Sequence, residues 1–158
     1  MRVVLKDRTE AAVRIYYEKT QQPEIKVMLP QKAKSVEEAV ADYRKTLLPG
    51  STSFGHTIYG DDEYVGDIWS YCIDKEETPN AMLSFCIFEE AYRNRGITSK
   101  AISLFLKEIH DRYAIETIGA FTFSDNFPSQ KVLERNGFQL MEEFTEDGRK
   151  SRYYQLRF

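Results

Sequence analysis

The chain has 158 residues, 42% of them apolar, and a formal charge of −3 from 22 basic and 25 acidic side chains. That is long enough for one domain with a real core, and the acidic balance argues against a general nucleic-acid binder, which needs a basic face. No apolar run approaches the roughly 20 residues of a membrane span, and the opening MRVVLKDRTE lacks a secretion signal's apolar stretch, so a cytoplasmic location without membrane contact is expected.

Met1–Leu5 reads as a first strand. Thr9–Thr20 carries Ala12, Ile15, Tyr16 and Lys19 at helical spacing. Gln21–Pro30 holds two prolines and is expected to be irregular or a short turn. Ser35-Val36-Glu37-Glu38 has the form of a capping box. The helix it opens runs to about Leu48 and stops at Pro49-Gly50. Ser53–Tyr59, Tyr64–Ile73 and Ala81–Phe88 read as consecutive strands, joined by turns at Gly60-Asp61-Asp62 and Lys75–Asn80. Ile97, Ala101, Ile102, Phe105, Leu106 and Ile109 predict an amphipathic helix over Ile97–Tyr113. Glu116–Phe123 is a strand. Phe127–Asn136 is a helix with Pro128 in its first turn and Asn136-Gly137 at its end. Phe138–Phe144 and Ser151–Phe158 form a hairpin around Asp147-Gly148. The order β-α-α-β-β-β-α-β-α-β-β, with no linker or repeat, points to one α/β domain over residues 1–158. Cys72 and Cys86 lack metal-ligand spacing and read as reduced core residues, so no metal is expected.

The most informative stretch is Phe85–Ala101, FCIFEEAYRNRGITSKA: a buried strand, a charged loop and a helix start. The first N–H groups of a helix have no partner within it and attract anions. Gly96 lets a phosphate approach the backbone, and Arg93 and Arg95 flank it. A glycine that merely eases strand-to-helix packing is the other reading of this motif alone. There is neither a P-loop nor a dinucleotide-binding glycine fingerprint.

About thirty residues on stands Ser124-Asp125-Asn126-Phe127-Pro128-Ser129, followed by Arg135-Asn136-Gly137-Phe138. The two motifs, their spacing and the element order together resemble the GNAT superfamily of acyl-CoA N-acyltransferases. Asn-x-x-Ser followed by Arg-Asn-Gly-Phe is similar to its RimJ/RimL-type branch. The likeness is sharp over Ala81–Phe144 and architectural before it. It implies a mixed α+β sheet with a splayed central strand, and acetyl-CoA as donor. The pyrophosphate would lie on Arg93, Asn94, Arg95, Gly96, Ile97, Thr98 and Ser99, with Thr98 departing from the family's small residue. Backbone groups of Cys86, Ile87 and Phe88 would hold the pantetheine arm like an added strand, with the Cys86 N–H polarising the thioester carbonyl. Lys100, Lys131 and Arg135 are candidates for the remaining phosphate, each also readable as a solvated helix residue. Asn126 can bond the pantetheine or cap its helix.

By the same resemblance Ser129 is the general acid for the departing thiolate. Leu133 stands where many members have a tyrosine, and Met82 where others have a glutamate base. Ser84, Asp67, Glu89 and His56 are substitute bases. Direct attack by a primary amine, on a small molecule or a protein N-terminus, is then expected, driven by positioning and carbonyl polarisation. A non-catalytic acyl-CoA-binding module and transfer of a longer acyl group are the alternatives, and homodimerisation is common in the family. Asp61–Glu90 carries nine acidic residues against Lys75 alone, either a field favouring a cationic acceptor or simply solvated turns. Tyr16, Tyr17, Tyr43, Trp69 and Tyr71 are expected in the core or in the acceptor groove wall.

Overall fold

The computed structural model describes residues 1–158. Seven strands form one sheet: β1 (Val3–Asp7), β2 (Phe54–Gly60), β3 (Glu63–Asp74), β4 (Asn80–Ile87), β5 (Thr117–Phe123), β6 (Gln139–Glu146) and β7 (Arg149–Arg157). Their order is β1-β2-β3-β4-β5-β7-β6. All neighbours are antiparallel except β4 and β5, which run parallel. Five helices cover it: α1 (Glu10–Lys19), α2 (Pro23–Met28), α3 (Val36–Thr46), α4 (Ile97–Tyr113) and α5 (Phe127–Arg135).

Helices α1, α3 and α5 start where a side chain accepts from a first-turn N–H, α2 starts at Pro23, and α4 follows Gly96 with no side-chain cap. The Thr9 side chain accepts from the Ala12 N–H, and the Ser35 side chain from the Glu38 N–H at 3.1 Å. The return arm of the capping box is displaced by one residue: the Glu38 carboxylate accepts from the Lys34 N–H at 3.2 Å. Helix α4 buries Ile97, Ala101, Ile102, Phe105, Leu106 and Ile109 against one face of the sheet, as its spacing requires. Helices α1 and α3 pack together on the opposite face, where Tyr16 meets Trp69 edge-on.

Two expectations are corrected. Gln21–Pro30 contains a helix, α2, because Pro23 occupies a first-turn position that needs no N–H donor. Cys72 is exposed rather than in the core, since a register shift between Tyr71 and Asp74 turns it outward. Both cysteines are free.

The parallel pair positions everything that follows. β4 and β5 pair only from Asn80 to Met82 and from Thr117 to Gly119. Beyond these residues the strands separate, and the sheet opens between them.

Candidate functional site

The opening between β4 and β5 leads into a groove of about 630 Å³. Leu83–Ile87 form one wall, Ala120–Thr122 the other, and the starts of α4 and α5 close its lower end. The missed helix α2 adds Ile25 and Met28 to the lining. Its apolar residues at i, i+3 and i+4 after a proline were the available signal.

Backbone direction alternates along a strand, which decides what β4 presents to the groove. The Phe88 N–H donates to the Val65 C=O on β3 at 2.9 Å, whereas the Pro79 C=O accepts from Glu116, at the foot of β5, at 2.7 Å. The β3–β4 register between them is continuous from Tyr71↔Met82 to Gly66↔Ile87. Even-numbered residues therefore turn N–H and C=O to β3, and Leu83, Phe85 and Ile87 turn theirs to the gap. This corrects the assignment of the thioester-polarising N–H to Cys86, whose backbone groups face Asp67. Phe88 is corrected too: it is 2% exposed, lies outside the groove, and its C=O accepts from Gln22. The groups open to the groove are the N–H of Phe85 and of Ile87; the Ile87 C=O already accepts from Arg93 Nε at 3.2 Å.

Below β4 the chain makes a single 3-10 turn over Glu90–Tyr92 and enters α4 through two left-handed residues, Asn94 (φ 59°) and Gly96 (φ 79°). An ideal Cβ on Gly96 would meet nothing within 4 Å, so the space above it is an open cradle. The first intrahelical bond runs from the Lys100 N–H to the Gly96 C=O. The N–H groups of Ile97, Thr98 and Ser99 are left for a ligand. Arg93, Asn94, Lys131 and Arg135 also line this end. The Arg95 guanidinium lies 5.3 Å from the Tyr92 ring and bonds the Ala91 C=O, and neither Arg95 nor Lys100 reaches the groove. The cradle thus fits a pyrophosphate by open space, free N–H groups and cations together.

Asn126 caps α5, accepting from the Ser129 N–H at 3.4 Å, and both residues line the groove. A contact the sequence did not reveal holds this corner together: Asn136 Nδ2 donates to the C=O and to the hydroxyl oxygen of Ser99, each at 3.2 Å.

The substitute bases separate. His56 is buried on the α4 face, with Nε2 2.5 Å from Glu108 and Nδ1 3.1 Å from the Lys6 C=O, and lines no part of the site. Glu89 pairs with Lys19. Asp67 is 1% exposed, lies 3.1 Å from Arg8 and accepts from the Tyr64 hydroxyl at 2.5 Å. Burial pushes its carboxyl up to about 6, against the opposing pull of Arg8. Burial also raises the Cys86 thiol to about 11, which leaves it protonated and unreactive near neutral pH. Ser84 alone stands at the reacting end.

Ser84 and Leu29 also line a second cavity, of about 510 Å³, on the α1/α3 side of the sheet. The two cavities therefore meet at Ser84. None of the nine acidic residues of Asp61–Glu90 lines either one. All but the buried Asp67 sit in turns, loops and strand ends, the solvated reading.

A family model described as an acetyltransferase (GNAT) domain matches residues 2–139. The chain belongs to the GNAT acetyltransferase family. Among solved structures, this GNAT chain is similar to an aminoglycoside acetyltransferase AAC(6')-Ib in complex with coenzyme A. The TM-score is 0.82 at 14% identity, over 99% of this chain and 95% of that one. It is similar to RimL, a ribosomal L7/L12 alpha-N-protein acetyltransferase in complex with coenzyme A, with TM-score 0.82 at 19% identity over 98% and 93%. A third is the acetyltransferase from Salmonella typhimurium that modifies the N-terminal serine of L7/L12, with TM-score 0.82 at 18% identity over 99% and 95%. No curated protein matches the chain by sequence. No helix of the GNAT domain is long and apolar enough to cross a membrane.

Proposed function

We propose that this GNAT protein transfers the acetyl group of acetyl-CoA to a primary amine in a ternary complex. One observation carries the reading: the opened edge of β4 runs from an anion cradle at Gly96 to a junction with a second cavity at Ser84. A pyrophosphate on the free N–H groups of Ile97, Thr98 and Ser99 sets a pantetheine arm against Ile87, and the Phe85 N–H meets the thioester carbonyl. That N–H supports the charge that develops on the carbonyl oxygen as the amine attacks. A C–N bond forms, the C–S bond breaks, and the departing sulfur takes a proton from Ser129, whose hydroxyl regains one from water. The amine's proton leaves to water through Ser84. The neighbouring structures, acetyltransferases of an aminoglycoside and of a ribosomal protein with coenzyme A bound, support this chemistry. Cytoplasmic location and a homodimer complete the reading.

Calorimetry with acetyl-CoA, followed by thiol release on addition of amines, tests it. Saturable binding and amine-dependent thiol release are expected. Failure to bind millimolar acetyl-CoA would overturn the proposal. One observation favours a second reading, an acyl-CoA-binding module: of the candidate bases only Ser84 lines either cavity, and a hydroxyl is a weak base. Binding without thiol release from any amine would select it.

A further inference from the structure

The second cavity has a chemistry of its own. Tyr16, Tyr17, Tyr43, Trp69 and Tyr71 bring five aromatic rings to its wall, and Leu29–Ala33 closes one side. That segment is held in place: Gln21 Nε2 donates to Gln31 Oε1 at 2.8 Å, and the Gln31 amide donates to the Thr20 hydroxyl. The volume, about 510 Å³, falls in the range of small-molecule sites, roughly 300–1,000 Å³. Three charged side chains face it: Arg8, Lys32 and Asp42. The Arg8 charge is engaged at 3.1 Å by the buried Asp67, which also accepts from Tyr64, so Lys32 and Asp42 are the charges the lining leaves to a ligand.

Ring faces attract a single ammonium and stack on flat apolar groups. Asp42 is the one carboxylate in the lining, so a second or third positive charge would be taken from water without a partner, which is costly. We infer that the acceptor is a small primary monoamine carried on an aromatic or flat apolar body, and that polyamines and aminoglycosides are excluded. The inference rests on the transferase reading for which end of the cavity the amine occupies, but the pocket's preference can be measured without turnover.

Trp69 is the chain's single tryptophan and lines the pocket, so its fluorescence reports occupancy directly. Phenylalaninamide and alaninamide carry the same α-amine on different bodies. Phenylalaninamide is expected to change Trp69 emission saturably, with alaninamide binding at least tenfold more weakly and spermidine and kanamycin producing no saturable change. Tyr17→Ala, at a half-buried position of α1, is expected to weaken phenylalaninamide at least fivefold while leaving acetyl-CoA affinity unaltered. Thiol release should rank the amines in the same order. Equal affinity for the two amides, or preference for spermidine or kanamycin, would overturn the inference while acetyl-CoA binding stands. Absence of acetyl-CoA binding with the emission change intact would overturn the transferase reading and leave the pocket chemistry in place. A peptide bound only through residues beyond its first would also overturn it.

Discussion

Asn136 reaches from the end of α5 to the first turn of α4, where its amide donates to both the backbone C=O and the hydroxyl of Ser99. A third bond, to the Val132 C=O at 2.9 Å, fixes the side chain to its own helix. The free N–H groups of α4 are thereby held in one direction against the groove. Asn136→Ala is expected to weaken acetyl-CoA about fivefold and to cost about 1–2 kcal/mol of stability, the scale of lost hydrogen bonds to a half-buried backbone group. Calorimetry and urea denaturation of the variant measure the two effects. Unchanged affinity would mean that the contact serves folding alone.

Gly96 meets a different requirement. Its φ of 79° lies where an L side chain is strained, and its missing Cβ is the space of the cradle. Gly96→Ala is expected to cost about 1 kcal/mol of stability and, through the filled cradle, at least tenfold in acetyl-CoA affinity. A thermal melt and a cofactor titration separate the two.

Ser129 lines the groove beside Asn126 and is the proposed proton donor to sulfur. Ser129→Ala should slow acetyl transfer by about 10²-fold, within the usual range for acid catalysis, with acetyl-CoA affinity unchanged. The loss should shrink for thioesters of more acidic thiols, whose anions leave without a proton. Undiminished turnover would remove Ser129 from the chemistry.

The Arg8–Asp67 pair makes stability depend on pH. Folding raises the Asp67 carboxyl from its ordinary range to about 6. The folded state therefore binds this proton more tightly than the unfolded chain. The resulting stabilisation is full below about 4 and is lost as pH rises through 6, and amounts to about 3 kcal/mol. The stability of wild type minus that of Asp67→Asn should fall between pH 4.5 and 7 and then level off. Urea denaturation across that range measures it; a flat difference would show that Arg8 cancels burial, and a rising one that Arg8 outweighs it.

Much of the fold was legible because its periodicity is strong. The apolar residues of α4 occupy one helix face, and the helix runs over the expected Ile97–Tyr113. Helix α2 was hidden because its two bounding prolines are turn signals as readily as helix punctuation. The parts of the site that depend on local chemistry, Gly96 before a helix and Asn126 at a cap, could be placed from the sequence. The parts that depend on pairing could not. Which β4 residues face the gap is set by strand parity against β3, and an expectation one residue out exchanges every backbone group. The pairing of Asn136 with Ser99 spans two helices and carries no local signature. Of the two readings of the acidic residues in Asp61–Glu90 the solvated one holds, apart from the buried Asp67, since neighbours in sequence are dispersed over turns, loops and strand ends.

The most direct measurement of where the donor lies is a titration of ¹⁵N-labelled protein with acetyl-CoA, followed at individual amides. Saturable shifts are expected at Phe85, Ile87, Ile97, Thr98 and Ser99, with Cys86 and Phe88 moving little because their N–H groups face β3. Saturable binding that perturbs Cys86 and Phe88 but leaves Phe85 and Ile87 unmoved would contradict the assignment of the donor to the open edge of β4.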